Sequence, residues 1–383
     1  MSARLDAQLA FLTEACRLKQ VDRQNILQDL SRPENSAEHS WHVALYTLLM
    51  DHPQFGAFDR DRAIAMILLH DLVEIDAGDH PIHQDHDPEK IAAAERAAAD
   101  RLFALLPPDQ ATTLRALWDE FESGTSAEAR FAKQMDHVQP ILQAVSPQSP
   151  RADQVSVVRG NLSDGRARNL HRDWPEFHAQ VTARMENADP ERSDLTARVG
   201  FLNEADALKS VYRATRIAGG SRRENSAEHS WHLALYALVL GEHAATGVDI
   251  TRVIRMLLIH DLVEVDAGDA PIFATYDIAA KEAEELAAAE RIFGLLPGTQ
   301  AAELLSLWQE FEANETPDAR FAKALDRFQP PNQNLASGGG SWIEYNVDYD
   351  TIAARVGAKI AHGAPVLWDW IAPQIRDFLA ERA

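Results

Sequence analysis

The chain has 383 residues, 46% of them hydrophobic and 25% charged, with a formal net charge of -22 at pH 7. That composition belongs to a globular protein long enough for more than one core, and its charge argues against nucleic-acid polymers and anionic membranes, which basic surfaces attract. The lone cysteine, Cys16, excludes an intrachain disulfide and suits a reducing cytoplasm; no apolar run approaches the roughly 20 residues that span a bilayer.

Met1 to Lys19 carries Asp6 and Glu14 and lacks the basic-then-apolar pattern of a leader. Asn35 to Met50 reads as a helix, with Asn35 as cap, Glu38 three residues on, and Val43, Tyr46 and Met50 on one face. Ala63 to Ile75 is apolar on nearly every side, which places it at the centre of a helical domain, with Gly78 as its stop. Ile91 to Leu106 is alanine-rich and ends at Pro107-Pro108, and Thr112 to Phe121 forms a further helix. Alternating strand patterns do not occur, so the expected class is all-α.

The chain then repeats itself. Glu34-Asn35-Ser36-Ala37-Glu38-His39-Ser40-Trp41-His42 recurs letter for letter from Glu224 to His232. His70-Asp71-Leu72-Val73-Glu74 recurs from His260, and Arg130-Phe131-Ala132-Lys133 from Arg320, always at one offset. A fixed period of this kind marks two copies of one unit. The expected organisation is two tandem helical bundles, residues 1–190 and 191–383, joined through the polar stretch Glu186 to Asp194. Similarity between the copies fades after Pro140 and Pro330.

His70 and Asp71 follow Ile64-Ala65-Met66-Ile67-Leu68-Leu69, so two polar groups enter an apolar interior. A carboxylate there is costly unless it is paired or holds a cation. Both side chains can reach one ion beside the helix, and His39 and Asp136 are available as further ligands. Two imidazoles and two carboxylates suit Mn, Fe, Co, Ni, Zn or Mg. The plain alternative is a core histidine beside a salt-bridged or capping aspartate. Four residues repeated at the same spacing favour the metal.

A histidine, then His-Asp, then a distant aspartate resembles the HD superfamily of metal-dependent phosphohydrolases. The longer string narrows the likeness: Glu-Asn-Ser-Ala-Glu-His-Ser-Trp-His, Leu-Val-Glu-Ile-Asp-Ala-Gly-Asp, Leu-Leu-Pro, Trp-x-Glu-Phe-Glu and Arg-Phe-Ala-Lys-x-x-Asp resemble the 5'-deoxynucleotidase branch. The resemblance implies two HD-domain bundles with one divalent metal each, on His39, His70, Asp71 and Asp136 and on His229, His260, Asp261 and Asp326. It implies Glu74 and Glu264 as proton-handling catalytic residues, and Arg23 and Arg213 as phosphate ligands. Asp79 and Asp269 match a position that contacts the nucleoside sugar, with an ordinary turn after glycine as the equal alternative. The expected reaction removes the 5'-phosphate of a (deoxy)nucleoside monophosphate, with water carried by the metal as nucleophile. Action on another phosphate ester, or a nucleotide sensor without turnover, are the alternatives. Because single-copy relatives pair, the two copies are expected to face each other within the chain. The second copy, with Asn332, Asn334 and Gly338-Gly339-Gly340-Ser341-Trp342, keeps the fuller pattern.

Other repeated residues read more plainly. His42 and His232 are expected to pack or bond within the bundle, Trp118 and Trp308 to be core, and Lys133 and Lys323 to form salt bridges. His80, His83 and His86 face Ala270, Phe273 and Tyr276 in the second copy, so they read as a polar loop and not as a second metal cluster.

Overall fold

The computed structural model describes residues 2–52, 54–80 and 87–382, so the expectation for His83 and His86 lies outside the described residues. Helix α1 (Ser2–Ala15) passes through a tight turn into an antiparallel hairpin of β1 (Asp22–Ile26) and β2 (Pro33–Asn35). Then comes α2 (Ser36–Leu49), with the expected cap: the Asn35 side chain accepts from the backbone N–H of Ala37 and Glu38, and Glu38 accepts from that of Asn35.

The apolar stretch expected as one helix from 63 to 75 is divided. Helix α3 (Arg60–Leu69) gives way to a 3-10 turn, His70–Val73, and a single turn of helix, α4 (Glu74–Ala77). The last-turn carbonyls of α3 lack helical partners, and His70 Nδ1 takes one of them, Ile67 O, at 2.7 Å. Gly78 does end the segment, at φ 79°, a left-handed conformation that glycine adopts without strain. Helices α5 (Pro88–Phe103) and α6 (Pro108–Ser123) each begin at a proline, earlier than the alanine and threonine runs suggested. Proline is tolerated there because the first N–H groups have no helical acceptor. Helix α7 (Ala127–Val145) follows, then α8 (Ala152–Ser163), α9 (Leu170–Asp173) and α10 (Pro175–Met185).

The second copy repeats this order as α11 (Asp194–Ala205), β3 (Tyr212–Arg216), β4 (Arg223–Asn225), α12 (Ser226–Leu240), α13 (Ile250–Ile259), α14 (Glu264–Ala267), α15 (Ile278–Phe293), α16 (Gly298–Ala313) and α17 (Pro317–Ala336). The copies part after α7 and α17, where similarity fades: the second closes with α18 (Gly340–Glu344), α19 (Tyr349–Ile352), α20 (Ala358–Gly363) and α21 (Pro365–Ala380). The fold is helical, as the sequence indicated. The two hairpins correct the expectation of no strands; β1 carries no apolar alternation because the residues on its half-buried side, Arg23 and Asn25, are themselves polar. No helix among the described residues is long and apolar enough to cross a membrane.

The copies share one continuous apolar core. Helices α2 and α12 pack on each other, and each bonds to helices of the opposite copy in reciprocal pairs. Trp41 donates to Leu258 O at 2.9 Å, and Trp231 donates to Leu68 O at 3.2 Å. His42 Nε2 meets Leu202 O, and His232 Nε2 meets Leu12 O, both at 2.9 Å. The same patch therefore serves both partners, as in an isologous dimer. His42 and His232 do bond within the protein, but across the two copies.

Candidate metal centres

In each copy the cluster sits where three elements meet: the first turn of α2 or α12, the 3-10 turn after α3 or the matching turn after α13, and the middle of α7 or α17. In the first copy His39 Nε2 lies 2.9 Å from Asp136 Oδ1 and 3.9 Å from Asp71 Oδ2. His70 Nε2 lies 3.0 Å from Asp71 Oδ1 and 3.7 Å from Asp136 Oδ1. In the second, His229 Nε2 is 3.3 Å from Asp326 Oδ1, and His260 Nε2 is 3.0 Å from Asp261 Oδ1 and 3.9 Å from Asp326 Oδ1. All four expected residues come together in both copies.

The donor set fits a cation. His70 Nδ1 and His260 Nδ1 sit against the carbonyls of Ile67 and Leu257, which fixes their protons there and leaves Nε2 as a lone pair. Both Nε2 atoms are buried without a hydrogen-bond partner and face carboxylate oxygens. Acceptors converging on acceptors are stable only around positive charge. The field agrees: burial and Arg23 work against a charged His39, yet Asp136 and Glu34 hold it up at about 9. Burial opposes the charge of Asp136 as well, but His39 and His70 keep its carboxyl well below the usual range.

Arg23 and Arg213 stand at the side of each cluster. Arg23 Nη1 donates to Asp71 Oδ2 at 3.0 Å and lies 3.5 Å from Glu74 and 3.9 Å from Asp79. Arg213 Nη1 donates to Asp261 Oδ2 at 2.5 Å and lies 3.7 Å from Glu264 and 3.9 Å from Asp269. Arg213 Nε is buried without a partner, a donor available to a bound anion. Glu74 and Glu264 accept from the hydroxyls of Ser36 and Ser226. Burial, reinforced by Asp71 and Asp261, raises both carboxyls well above the ordinary carboxylate range. The residues expected to act on substrate are therefore beside the residues expected to hold metal.

The expectations for the plainer residues also have positions. Lys133 lies 3.5 Å from Glu122, and Lys323 donates to Glu312 at 2.8 Å. Trp118 and Trp308 are buried, and each donates to the carbonyl of the adjacent cluster histidine, His70 or His260, at 3.1 and 3.2 Å. Sequence reasoning missed that bond, although the fixed spacing from Trp to His in both copies carried the signal. It also missed Glu34 and Glu224, which lie 3.6 and 3.3 Å from Nδ1 of His39 and His229. A cavity beside the second cluster is lined by Arg213, Asp269, Phe273, Arg327, Trp342 and Tyr345.

A family model described as an HD domain matches residues 15–178 and again 205–368. The chain belongs to the HD-domain family. It is 32% identical to human 5'-deoxynucleotidase HDDC2 over 137 residues, 36% of this chain and 66% of that protein. It is 24% identical over 160 residues to 5'-deoxynucleotidase yfbR of Photorhabdus temperata, 40% of this chain and 80% of that protein. The chain thus spans just under two thirds of the human relative's length. The crystal structure of a predicted metal-dependent phosphohydrolase from Magnetospirillum magnetotacticum MS-1 is 48% identical, covering 50% of this chain and 94% of that one, with a TM-score of 0.46. Family membership implies a divalent metal, and the donor set above fits one.

Proposed function

We propose that the protein removes the 5'-phosphate of nucleoside monophosphates, deoxynucleotides foremost, at two divalent-metal sites, one in each of two domains that divide near Asp189-Pro190. One observation carries this reading: the buried, unpartnered Nε2 atoms of His70 and His260 aim at carboxylates directly beside an arginine. The names of the relatives, 5'-deoxynucleotidases, supply the substrate class.

His39, His70, Asp71 and Asp136 would hold the metal in the first domain, and His229, His260, Asp261 and Asp326 in the second. A divalent ion there supplies Lewis-acid polarisation of a phosphoryl oxygen and lowers the pKa of bound water toward about 7. Arg23 and Arg213 bind the phosphoryl oxygens, a task that suits a fixed, multi-donor cation. Glu74 and Glu264, whose carboxyls burial and the neighbouring aspartates raise well above the ordinary range, take a proton from the attacking water or give one to the departing 5'-oxygen. Asp79 and Asp269, 3.9 Å from Nη1 of each arginine, face the sugar. The single buried cysteine supports a cytoplasmic setting.

Release of inorganic phosphate from a panel of nucleoside monophosphates, run against a panel of divalent metals, tests the reading. Metal-dependent turnover of monophosphates is expected. No turnover with any metal would overturn it.

A further inference from the structure

Each cluster is braced by a lysine that belongs to the opposite copy. Lys209 is fully buried, and its Nζ donates to Glu34 Oε1 at 2.7 Å, to Gln143 Oε1 at 3.0 Å and to Asp206, and lies 2.9 Å from His42 Nδ1. Three of these four partners lie in the first copy. The reciprocal residue, Lys19, is 1% exposed and reaches into the second copy: it donates to Glu224 and to Gln333 Oε1 at 2.9 Å, and lies 2.9 Å from His232 Nδ1. Burial works against an ammonium here, but Asp206 and Glu34 hold Lys209 above the ordinary lysine range.

The carboxylates these lysines hold are the ones beside the cluster histidines. Glu34 is fully buried; with Oε1 on Lys209, its Oε2 has no hydrogen-bond partner and lies 3.6 Å from His39 Nδ1, which also meets Gln139 Oε1 at 2.9 Å. Glu224 is the more direct of the two: its Oε2 is unpartnered and 3.3 Å from His229 Nδ1, which has no hydrogen-bond partner among the described residues. When Nε2 of such a histidine faces a metal, the proton sits on Nδ1, and a carboxylate behind it orients the ring and raises its basicity. A carboxylate without a counter-ion in that interior would be too costly to keep charged.

We propose that Lys209 and Lys19 are positioning residues for the metal site of the opposite copy, Lys209 acting through Glu34 on His39 and Lys19 through Glu224 on His229. The proposal rests on reading the two clusters as metal sites, and it goes further: neither copy completes its own site.

The test uses the full chain with one cluster disabled. His260→Ala with Asp261→Ala leaves only the first cluster, and Mn(II) titration followed by the electron paramagnetic resonance of the free ion gives its affinity. In that background Lys209→Met should weaken Mn(II) binding about 10- to 100-fold, the usual effect of removing such an outer partner. Lys19→Met, which alters the same copy as the surviving cluster, should leave affinity within about twofold; this crossed pattern is what a general loss of stability would not produce. The pattern should invert in the His70→Ala, Asp71→Ala background. Glu34→Gln keeps Lys209 paired with Asp206, so it carries the test should Lys209→Met not fold, and adding Lys209→Met to it should cost little more. Equal effects of the two lysines, or wild-type affinity in Glu34→Gln, would overturn the proposal. A parent variant that binds no Mn(II) would instead overturn the metal reading beneath it.

Discussion

Replacing Trp41 by phenylalanine tests one bond that ties the two copies together. The indole is fully buried and donates to Leu258 O at 2.9 Å. Leu258 lies in the last turn of α13, where carbonyls have no partner further along the helix, and it precedes His260 by two residues. Phenylalanine fills most of the space but cannot donate, so the carbonyl stays buried and unpaired at a cost of about 1–3 kcal/mol. The missing ring atoms leave a small void, and the total comes to roughly 2–4 kcal/mol. Against a typical stability of about 5–15 kcal/mol, that loss is easily read. In urea the midpoint should fall with the slope unchanged, in one transition, because the core is continuous across both copies. Two transitions, with the second-copy step at its wild-type midpoint, would refute the reasoning.

Elemental analysis of stripped and reconstituted protein should return two metal ions per chain; a ratio near four would point to dinuclear sites, and none would remove the metal chemistry. Glu74→Ala combined with Glu264→Ala should keep both metals and lose phosphate release by about a hundredfold or more, the usual weight of a positioned proton donor. His70→Ala with His260→Ala should lose metal and activity together, so normal turnover in the glutamate pair would show that the carboxyl is misassigned.

Much of this molecule was legible because the duplication acts as an internal alignment. Polar residues retained in both copies inside an apolar run, His70-Asp71 and His260-Asp261, had to be paired or ligated, and the structure brings His39, Asp136, His229 and Asp326 to them. Helix α2 was readable from its cap. The break at His70 was not, since a 3-10 turn and an α-helix share the same apolar composition and differ only in backbone bonding, here the Glu74 N–H on Asp71 O. The hairpins were hidden because strands of five and three residues with polar side chains have no periodicity to detect. The lysine braces were hidden for another reason. Lys19 and Lys209 are repeated at the same offset as the cluster residues, but nothing in a sequence says that a repeated residue serves the other copy.

The departures from symmetry rank the two sites. His39 Nδ1 lies 2.9 Å from Gln139 Oε1 and 3.6 Å from Glu34, so a neutral amide oxygen is its nearer partner. His229 Nδ1 has Glu224 at 3.3 Å and no hydrogen-bonded partner among the described residues. Asp206 adds a second carboxylate beside Lys209, whereas the matching position beside Lys19 is Cys16, whose thiol donates to Gln333. Lys19 therefore serves Glu224 undivided, and the anionic support behind His229 is the more direct. Asp326 is also the less exposed ligand, its side chain 7% accessible against 23% for Asp136, so its contacts with the ion are less screened by water. The second copy should hold its metal more tightly and carry more of the activity. Asp326→Ala should then reduce phosphate release more than Asp136→Ala does, with metal content measured for each. Equal losses, with one metal gone in each variant, would mean that the outer carboxylate does not set the rank. The lysine that crosses between the copies would then support both sites alike.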